Sequence, residues 1–131
     1  MLDCLVLGDS IAVGTQMFAK ECQLVGKGGI NTWQFNKDYS SKIEPANTVI
    51  ISLGSNDHPG VKTRSELETM RAKIQGKRVF WILPAIKPNI QDIVKDIAQQ
   101  YGDTVLPITG LQPDKIHPSW AGYKSIVERT K

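Results

Sequence analysis

The chain of 131 residues carries 16 Lys and Arg and 13 Asp and Glu, which gives a formal net charge of +3. A chain of this length buries about two-thirds of its unfolded surface, which predicts one domain over residues 1–131. The basic residues are scattered along the chain. The sequence therefore lacks the clustered positive charge typical of nucleic-acid-binding proteins and gives no argument for that function. The apolar runs are far shorter than the ~20 residues that cross a bilayer, and no leader precedes the first of them. We therefore expect a soluble protein without membrane insertion, cytoplasmic by default, with other routes of release left open. The composition leaves the oligomeric state open, a monomer included.

Apolar runs rich in β-branched residues alternate along the chain with segments of helical spacing. The runs predict strands at residues 2–7, 23–25, 48–53, 79–83 and 104–108. The intervening segments predict helices at residues 11–20, 65–74, 90–101 and 119–130, with a short helix or turn within 31–43. Continuous apolar strands and helical crossovers are typical of a buried parallel sheet. The pattern predicts an α/β fold, a three-layer α/β/α sandwich around a five-stranded parallel sheet in the flavodoxin-like order 2-1-3-4-5.

The two cysteines, Cys4 and Cys22, lie within or beside apolar runs. Cysteine is among the residues most often buried, and neither the size nor the composition of the chain demands a crosslink. We therefore expect buried free thiols. A disulfide is the alternative if the two predicted strands are neighbours.

The segments that follow the five predicted strands meet at one edge of the sheet, where ligands bind in folds of this class. The first of these segments is Gly8-Asp9-Ser10, and the last contains Asp114 and His117. The other three are residues 26–32, 54–60 and 84–89. The order of the elements thus predicts that a serine, a histidine and a carboxylate from distant parts of the chain share one site.

These three residue types are the ones that serine-based acyl transfer requires. A serine hydroxyl is a weak nucleophile until a histidine accepts its proton, and a carboxylate must orient that histidine. His117 follows Asp114 by three residues, so one loop can present both to Ser10. His58, beside Asp57, is the only other histidine and remains a candidate for the pocket wall. Ser10 can also cap the helix that it begins, a role compatible with catalysis.

Three groups can stabilise the oxyanion that acyl transfer creates. The backbone N–H of Ser10 lies at a helix start, where helix hydrogen bonding leaves it free. Asn56 offers an amide that donates without titrating. Gly29 lies in a Gly-Gly pair that lets the backbone approach a ligand, and Gly28 is the alternative donor there.

These motifs resemble the successive sequence blocks of the SGNH hydrolases, also called the GDSL esterase/lipase superfamily. The resemblance covers nearly the whole chain in the expected order, through Gly8-Asp9-Ser10, Gly29, Gly54-Ser55-Asn56-Asp57 and Asp114-Lys115-Ile116-His117-Pro118. It implies the SGNH hydrolase fold and a serine esterase with Ser10 as nucleophile, His117 as base and Asp114 behind it. It also implies an oxyanion hole formed by the Ser10 N–H, Gly29 and Asn56.

The expected function is hydrolysis of short acyl esters, such as O-acetyl groups of a carbohydrate, because short loops leave little material for a deep acyl tunnel. A lysophospholipase or thioesterase is the alternative enzyme, and a non-catalytic binding module within a larger assembly is the alternative class. We expect no cofactor and no metal, since the His, Asp and Cys residues lack ligand spacing. The expected partner is a small-molecule or carbohydrate ester.

Residues beside the motifs are candidates for contact with the substrate. They are Asp9, Ile11, Trp33, Asp57, His58 and Trp120. A third tryptophan, Trp81, lies inside a predicted strand, and we expect it in the core.

Overall fold

In a computed structural model that describes residues 1–131, the chain forms one parallel sheet in the strand order β2-β1-β3-β4-β5. The predicted α/β class and strand order are therefore confirmed. The strands are Leu2–Gly8 (β1), Gln23–Gly26 (β2), Ala46–Ser52 (β3), Gly76–Ile82 (β4) and Thr104–Leu106 (β5). The helices are Ser10–Met17 (α1), Thr32–Asp38 (α2), Thr63–Arg71 (α3), Pro88–Tyr101 (α4) and Trp120–Arg129 (α5), with a 3-10 turn at Ser40–Lys42.

The two faces of the sheet pack against different helices, because successive side chains of a strand point to opposite faces. Leu5 and Leu7 of β1 lie in an apolar cluster with buried residues of α2, α3 and α4. Val6, between them, lies in a second cluster with buried residues of α1 and α5. The result is three layers, helices over both faces of the sheet. Trp81 of β4 is only 1% exposed, as predicted for a core residue.

The element ends differ from prediction by a few residues, and local chemistry explains two of the differences. The helix α1 ends at Met17 because Phe18 and Ala19 donate to carbonyls three residues back, which tightens and closes the last turn. The edge strand β5 ends at Leu106 because Pro107 has no N–H to offer the sheet. The longest helix, α4, has 14 residues, and no helix combines the length and apolar character needed to cross a membrane.

The expectation of free thiols is wrong: Cys4 and Cys22 form a disulfide, with Cα atoms 4.5 Å apart. The register of the sheet explains the pairing. Leu5 of β1 lies opposite Gln23 of β2, so the residues immediately before them are brought together. The sequence shows both cysteines beside strands, but it does not show this register.

Reduction of the disulfide should destabilise the protein by about 3 kcal/mol, the loop entropy expected for a separation of 18 residues. Urea unfolding with and without dithiothreitol measures the difference, and thiol titration of the denatured, unreduced protein should find no free thiol. A Cys4→Ala/Cys22→Ala double variant is the control, because dithiothreitol should not shift its unfolding curve. Coincident wild-type curves in the two conditions would contradict the structure.

Candidate active site

Ser10 stands at a sharp turn between β1 and α1. Gly8 ends β1 with φ of +139°, and a Cβ there would overlap the carbonyl oxygen of Ser52 at the end of β3. Glycine therefore permits a close approach that any side chain would block. Asp9 caps α1 by accepting a hydrogen bond from the Ile11 backbone N–H at 3.0 Å. The cap is thus Asp9 rather than Ser10, and the Ser10 hydroxyl is left for another partner.

That partner is His117, whose Nε2 lies 2.8 Å from Ser10 Oγ. The other ring nitrogen, Nδ1, lies 2.7 Å from Asp114 Oδ2. When the carboxylate holds the proton on Nδ1, Nε2 is an acceptor for the serine hydroxyl. The three side chains that the sequence places up to 107 residues apart are therefore joined in one hydrogen-bonded chain.

Asp114 is held as a carboxylate by its own loop. Its Oδ1 accepts hydrogen bonds from the backbone N–H groups of Ile116 at 2.9 Å and His117 at 3.0 Å. These two bonds, followed by the bond to the His117 side chain, lower the pKa of Asp114 to about 2. Asp114 is consequently ionised at any pH near neutrality, as a group that orients an imidazolium must be.

The loop between β5 and α5 is closed on itself. Leu111 and Pro118 form an isolated antiparallel bridge, and the Gln112 N–H donates to the His117 carbonyl at 2.8 Å. Lys115 adopts φ of +61° at the tip, where its N–H donates to the Gln112 carbonyl. Asp114 and His117 therefore reach Ser10 as one preformed unit rather than as two independent side chains.

The residues predicted to donate to an oxyanion differ in their surroundings. A Cβ on Gly28 would lie 3.8 Å from Ser10 Cβ, whereas a Cβ on Gly29, with φ of +80°, would meet no atom within 4 Å. Gly28 is therefore the glycine that lies against the serine. Asn56 is exposed and donates through Nδ2 to the Ile30 carbonyl at 3.0 Å, which leaves its second amide hydrogen free.

His58 is not part of the hydrogen-bonded chain. It is exposed, and its Nδ1 accepts a hydrogen bond from the Gly60 N–H at 3.1 Å. The adjacent Asp57 turns away into the interior. His58 instead lines a cavity beside the site together with Trp33, which is 51% exposed. Trp120 is 77% exposed at the start of α5 and packs edge-on against Phe18, with ring centroids 6.4 Å apart.

Three predicted substrate contacts are buried, and the structure corrects them to structural roles. Ile11 packs into the apolar layer between the sheet and the helices α1 and α5. Asp57 accepts hydrogen bonds from the Thr32 N–H, the Thr32 hydroxyl and the Thr63 hydroxyl at 2.9, 2.7 and 2.6 Å, which ties the starts of α2 and α3 together. Asp9 is fully buried as the cap of α1. The sequence shows these residues beside the motifs but not the direction in which their side chains point.

Asp9 is a carboxyl group in an unfavourable environment. One oxygen accepts from the Ile11 N–H and from the Ser52 hydroxyl at 3.1 Å, while the other has no hydrogen-bond partner. Burial raises the pKa of Asp9 to about 6, and the hydrogen bonds offset only part of that effect. The residue beside the serine therefore titrates near neutrality.

Lys87, which the sequence motifs do not mark, holds the loop that carries Asn56. Its Nζ donates to the carbonyl of Ser55 at 2.8 Å and to the carbonyl of Asp57 at 2.7 Å, on either side of Asn56. Lys87 adopts φ of +64°, which is uncommon for a residue other than glycine. The groups that Lys87 binds are backbone carbonyls, which every residue carries, so the sequence does not identify them. The position of Lys87 after the fourth strand is the one sequence feature that points to a role at this edge of the sheet.

No group of three or more His, Cys, Asp or Glu side chains in the structure is arranged to hold a metal ion. The candidate site consists of Ser10, His117, Asp114 and the donors around them. Its geometry is that of a serine hydroxyl hydrogen-bonded to a histidine whose other nitrogen is hydrogen-bonded to a carboxylate.

No protein-family profile and no curated protein matches the chain. Solved structures do match it. A protein from Bacteroides fragilis provisionally assigned as an acylhydrolase has a TM-score of 0.64 and 22% identity over 98% of this chain and 84% of its own. A Streptococcus pneumoniae protein provisionally named a platelet activating factor has a TM-score of 0.69 and 16% identity over 96% of this chain and 80% of its own.

A third similar structure is a two-domain esterase active on acetylated mannans, crystallised with mannopentaose. Its TM-score is 0.56 at 17% identity, and the match covers 98% of this chain and 48% of the esterase. Identities this low establish the fold alone. Together with the strand order, they confirm the predicted three-layer α/β/α fold, which this chain shares with these structures.

Replacing Asp9 by Asn should remove a pH dependence of stability. Because the pKa of Asp9 is about 6 in the folded protein against 3.8 for a free side chain, only the folded form binds the proton between these values. The carboxyl group therefore adds stability as the pH falls through this window and removes it as the pH rises.

Between about pH 4 and pH 8 the free energy of unfolding of the wild type should fall by about 3 kcal/mol relative to that of Asp9→Asn. Urea unfolding of both proteins at the two pH values measures this difference, since Asn preserves the acceptor for Ile11 and removes the titration. A constant difference between the two proteins would contradict the assigned shift.

Proposed function

We propose that this protein is a serine ester hydrolase that acts through an acyl-enzyme on short acyl esters. The observation that carries the proposal is the hydrogen-bonded chain from Ser10 Oγ through His117 to Asp114, with distances of 2.8 and 2.7 Å. Two further features support it. The carboxylate stays ionised because its pKa is about 2, and the SGNH hydrolase-like fold is shared with structures assigned to acyl hydrolysis.

In the acylation step, Ser10 Oγ attacks the carbonyl carbon of the ester while His117 Nε2 accepts the hydroxyl proton. A bond forms between Oγ and the carbon, and the carbonyl electron pair moves onto the oxygen. Asp114 stabilises the resulting imidazolium. The bond to the leaving alcohol then breaks, and the alcohol oxygen takes the proton from Nε2.

Deacylation repeats the same proton path with water as the nucleophile. A water molecule gives a proton to His117 Nε2 and attacks the acyl carbon. The bond to Ser10 Oγ breaks, the carboxylic acid leaves, and the proton returns from Nε2 to Oγ. The enzyme is regenerated without a cofactor.

The oxyanion of both steps is held by backbone and amide donors. The Ser10 N–H has no helix partner, the Gly28-Gly29 backbone lies beside the serine, and Asn56 has a free amide hydrogen. Lys87 fixes the loop of Asn56 through the carbonyls of Ser55 and Asp57, so we assign it as a positioning residue.

A short acyl group, such as an O-acetyl group on a carbohydrate, is the substrate class we favour. The similar esterase that acts on acetylated mannans supports this choice. A lysophospholipase or thioesterase would need room for a long chain. The part of the site around Ser10 is built from short loops, and the cavity near them has a mixed polar and apolar lining rather than the walls of an apolar tunnel.

Ser10→Ala should lower kcat/KM for 4-nitrophenyl acetate by roughly 10⁴-fold or more, because the nucleophile is lost. The exposed Ser65 on α3 offers a matched control, and Ser65→Ala should keep wild-type rates. Wild-type turnover no higher than that of Ser10→Ala would favour a non-catalytic binding module.

In the same assay, 4-nitrophenyl esters from acetyl to octanoyl should be cleaved more slowly as the chain lengthens. An optimum at long chains would favour the lysophospholipase or thioesterase.

Lys87→Met should lower kcat by about ten-fold with little change in KM. Without Lys87 the Asn56 amide is less well positioned, and this weakens stabilisation of the transition state more than binding of the substrate. Lys87→Arg restores a cation at the same backbone conformation and should recover most of the rate. The kinetic constants of the three proteins, with thermal unfolding of each, separate positioning from folding. A variant Lys87→Met that loses thermal stability but keeps kcat would refute the positioning role.

A further inference from the structure

A cavity of about 460 Å³ lies beside the candidate active site, between the start of α2 and the loop from residue 58 to residue 62. Its volume is within the range of small-ligand sites. The same two loops carry the groups around Ser10. Asn31, which lines the cavity, follows the Ile30 carbonyl that binds Asn56, and His58 lies two residues beyond Asn56. The cavity is thus lined by the loops that also carry the predicted oxyanion donors.

Two exposed glycines, Gly28 and Gly29, precede Ile30 and the cavity residue Asn31 in the chain. A Cβ on Gly29 would meet no atom within 4 Å, and a Cβ on Gly28 would meet only Ser10. A ligand with its ester at Ser10 can therefore extend across bare backbone toward Trp33.

The cavity wall has an aromatic ring and unused polar groups. Trp33 is 51% exposed, with Lys37 Nζ 5.1 Å from its ring centroid; Lys37 is outside the lining of the cavity. The polar side-chain atoms of the lining without a hydrogen bond inside the chain are Asn31 Nδ2, Trp33 Nε1, Gln34 Nε2, His58 Nε2, Lys62 Nζ and Glu66 Oε2. The wall therefore offers five nitrogen donors or acceptors and one carboxylate oxygen around an exposed ring.

The chemistry of this wall selects among ligands. The charges of Lys62 and Glu66 oppose each other, so the cavity does not favour a strongly charged group. Its lining mixes polar and apolar surface, so an alkyl chain bound there would cover polar groups that it cannot pair with. A sugar ring suits it, because the ring has an apolar C–H face for Trp33 and hydroxyls for mixed donors and acceptors.

We propose that this cavity is a saccharide subsite. It binds one sugar of a neutral O-acetylated oligosaccharide while the acetyl group of another sugar on the same chain lies at Ser10. The placement of the acetyl group at Ser10 rests on the proposed esterase function. The saccharide subsite itself is a binding site and can be tested without turnover.

The binding test uses the Ser10→Ala protein and four neutral, unacetylated pentasaccharides of mannose, xylose, glucose and N-acetylglucosamine. Isothermal titration should detect binding of at least one of them, and Trp33→Ala should weaken it by roughly ten-fold or more, the loss of about 1.4 kcal/mol of contact. Lys62→Met should weaken it a few-fold. Tyr101→Ala is the matched control, because this half-exposed aromatic lies at the end of α4, at the opposite edge of the sheet, and binding should not change.

The kinetic test uses the saccharide that binds, in its acetylated form. For Trp33→Ala the ratio of kcat/KM on this substrate to kcat/KM on 4-nitrophenyl acetate should fall roughly ten-fold, through KM. Thermal unfolding of Trp33→Ala checks that the variant is folded. A ratio that does not change overturns the proposal.

The outcomes separate the two proposals. Absence of binding by all four saccharides at millimolar concentration overturns the saccharide subsite, even if 4-nitrophenyl acetate is hydrolysed. Binding that depends on Trp120, at the start of α5, rather than on Trp33 also overturns it. Binding that depends on Trp33 in a protein without esterase turnover supports the subsite and refutes only the proposed hydrolysis.

Discussion

The hydrogen bond of 2.8 Å between Ser10 and His117 is the contact on which the candidate site depends, and it joins the first loop of the chain to the last. The two residues are 107 positions apart in the sequence, so only the tertiary structure brings them together. The packing of α1 against α5 sets their separation: the Phe18 and Tyr123 rings stack with centroids 5.6 Å apart, and a Cβ on Gly14 would overlap the Tyr123 ring. A loss of this helix contact would separate the serine from the histidine without altering either residue.

The loops of the site are held by different kinds of hydrogen bond. The loop of Asp114 and His117 is closed by its own hydrogen bonds, and its carboxylate is oriented by backbone N–H groups rather than by distant residues. The loop of Asn56 has one such backbone bond, from the Asp57 N–H to the Gly54 carbonyl, and is held otherwise by the buried Asp57 side chain and by a lysine from the next crossover. The order of the strands places both loops at one edge of the sheet, next to the point between β1 and β3 where the chain reverses direction across the sheet.

Features that depend on residue type and order could be predicted from the sequence. Buried strands such as residues 48–53 are continuous apolar runs, and helices between successive strands imply parallel pairing. These two patterns were enough to predict the α/β class and the strand order. The pairing of His117 with Asp114 could be predicted because both lie in one short segment.

Features that depend on register or on side-chain direction were missed. The Cys4–Cys22 bond needs the offset of β2 against β1, and Asp57 adjoins a site motif yet faces Thr32 and Thr63 in the interior. The role of Lys87 depends on carbonyl positions that no residue type reveals.

The disulfide has a topological consequence for the candidate nucleophile. The covalent ring closed by Cys4 and Cys22 includes the end of β1, Ser10 and the whole of α1. A single peptide-bond cleavage inside this ring would leave both fragments joined, and the serine would stay attached to β1 and to the segment entering β2. Thermal opening of α1 is restricted in the same way, because both ends of the segment are anchored to adjacent strands of the sheet.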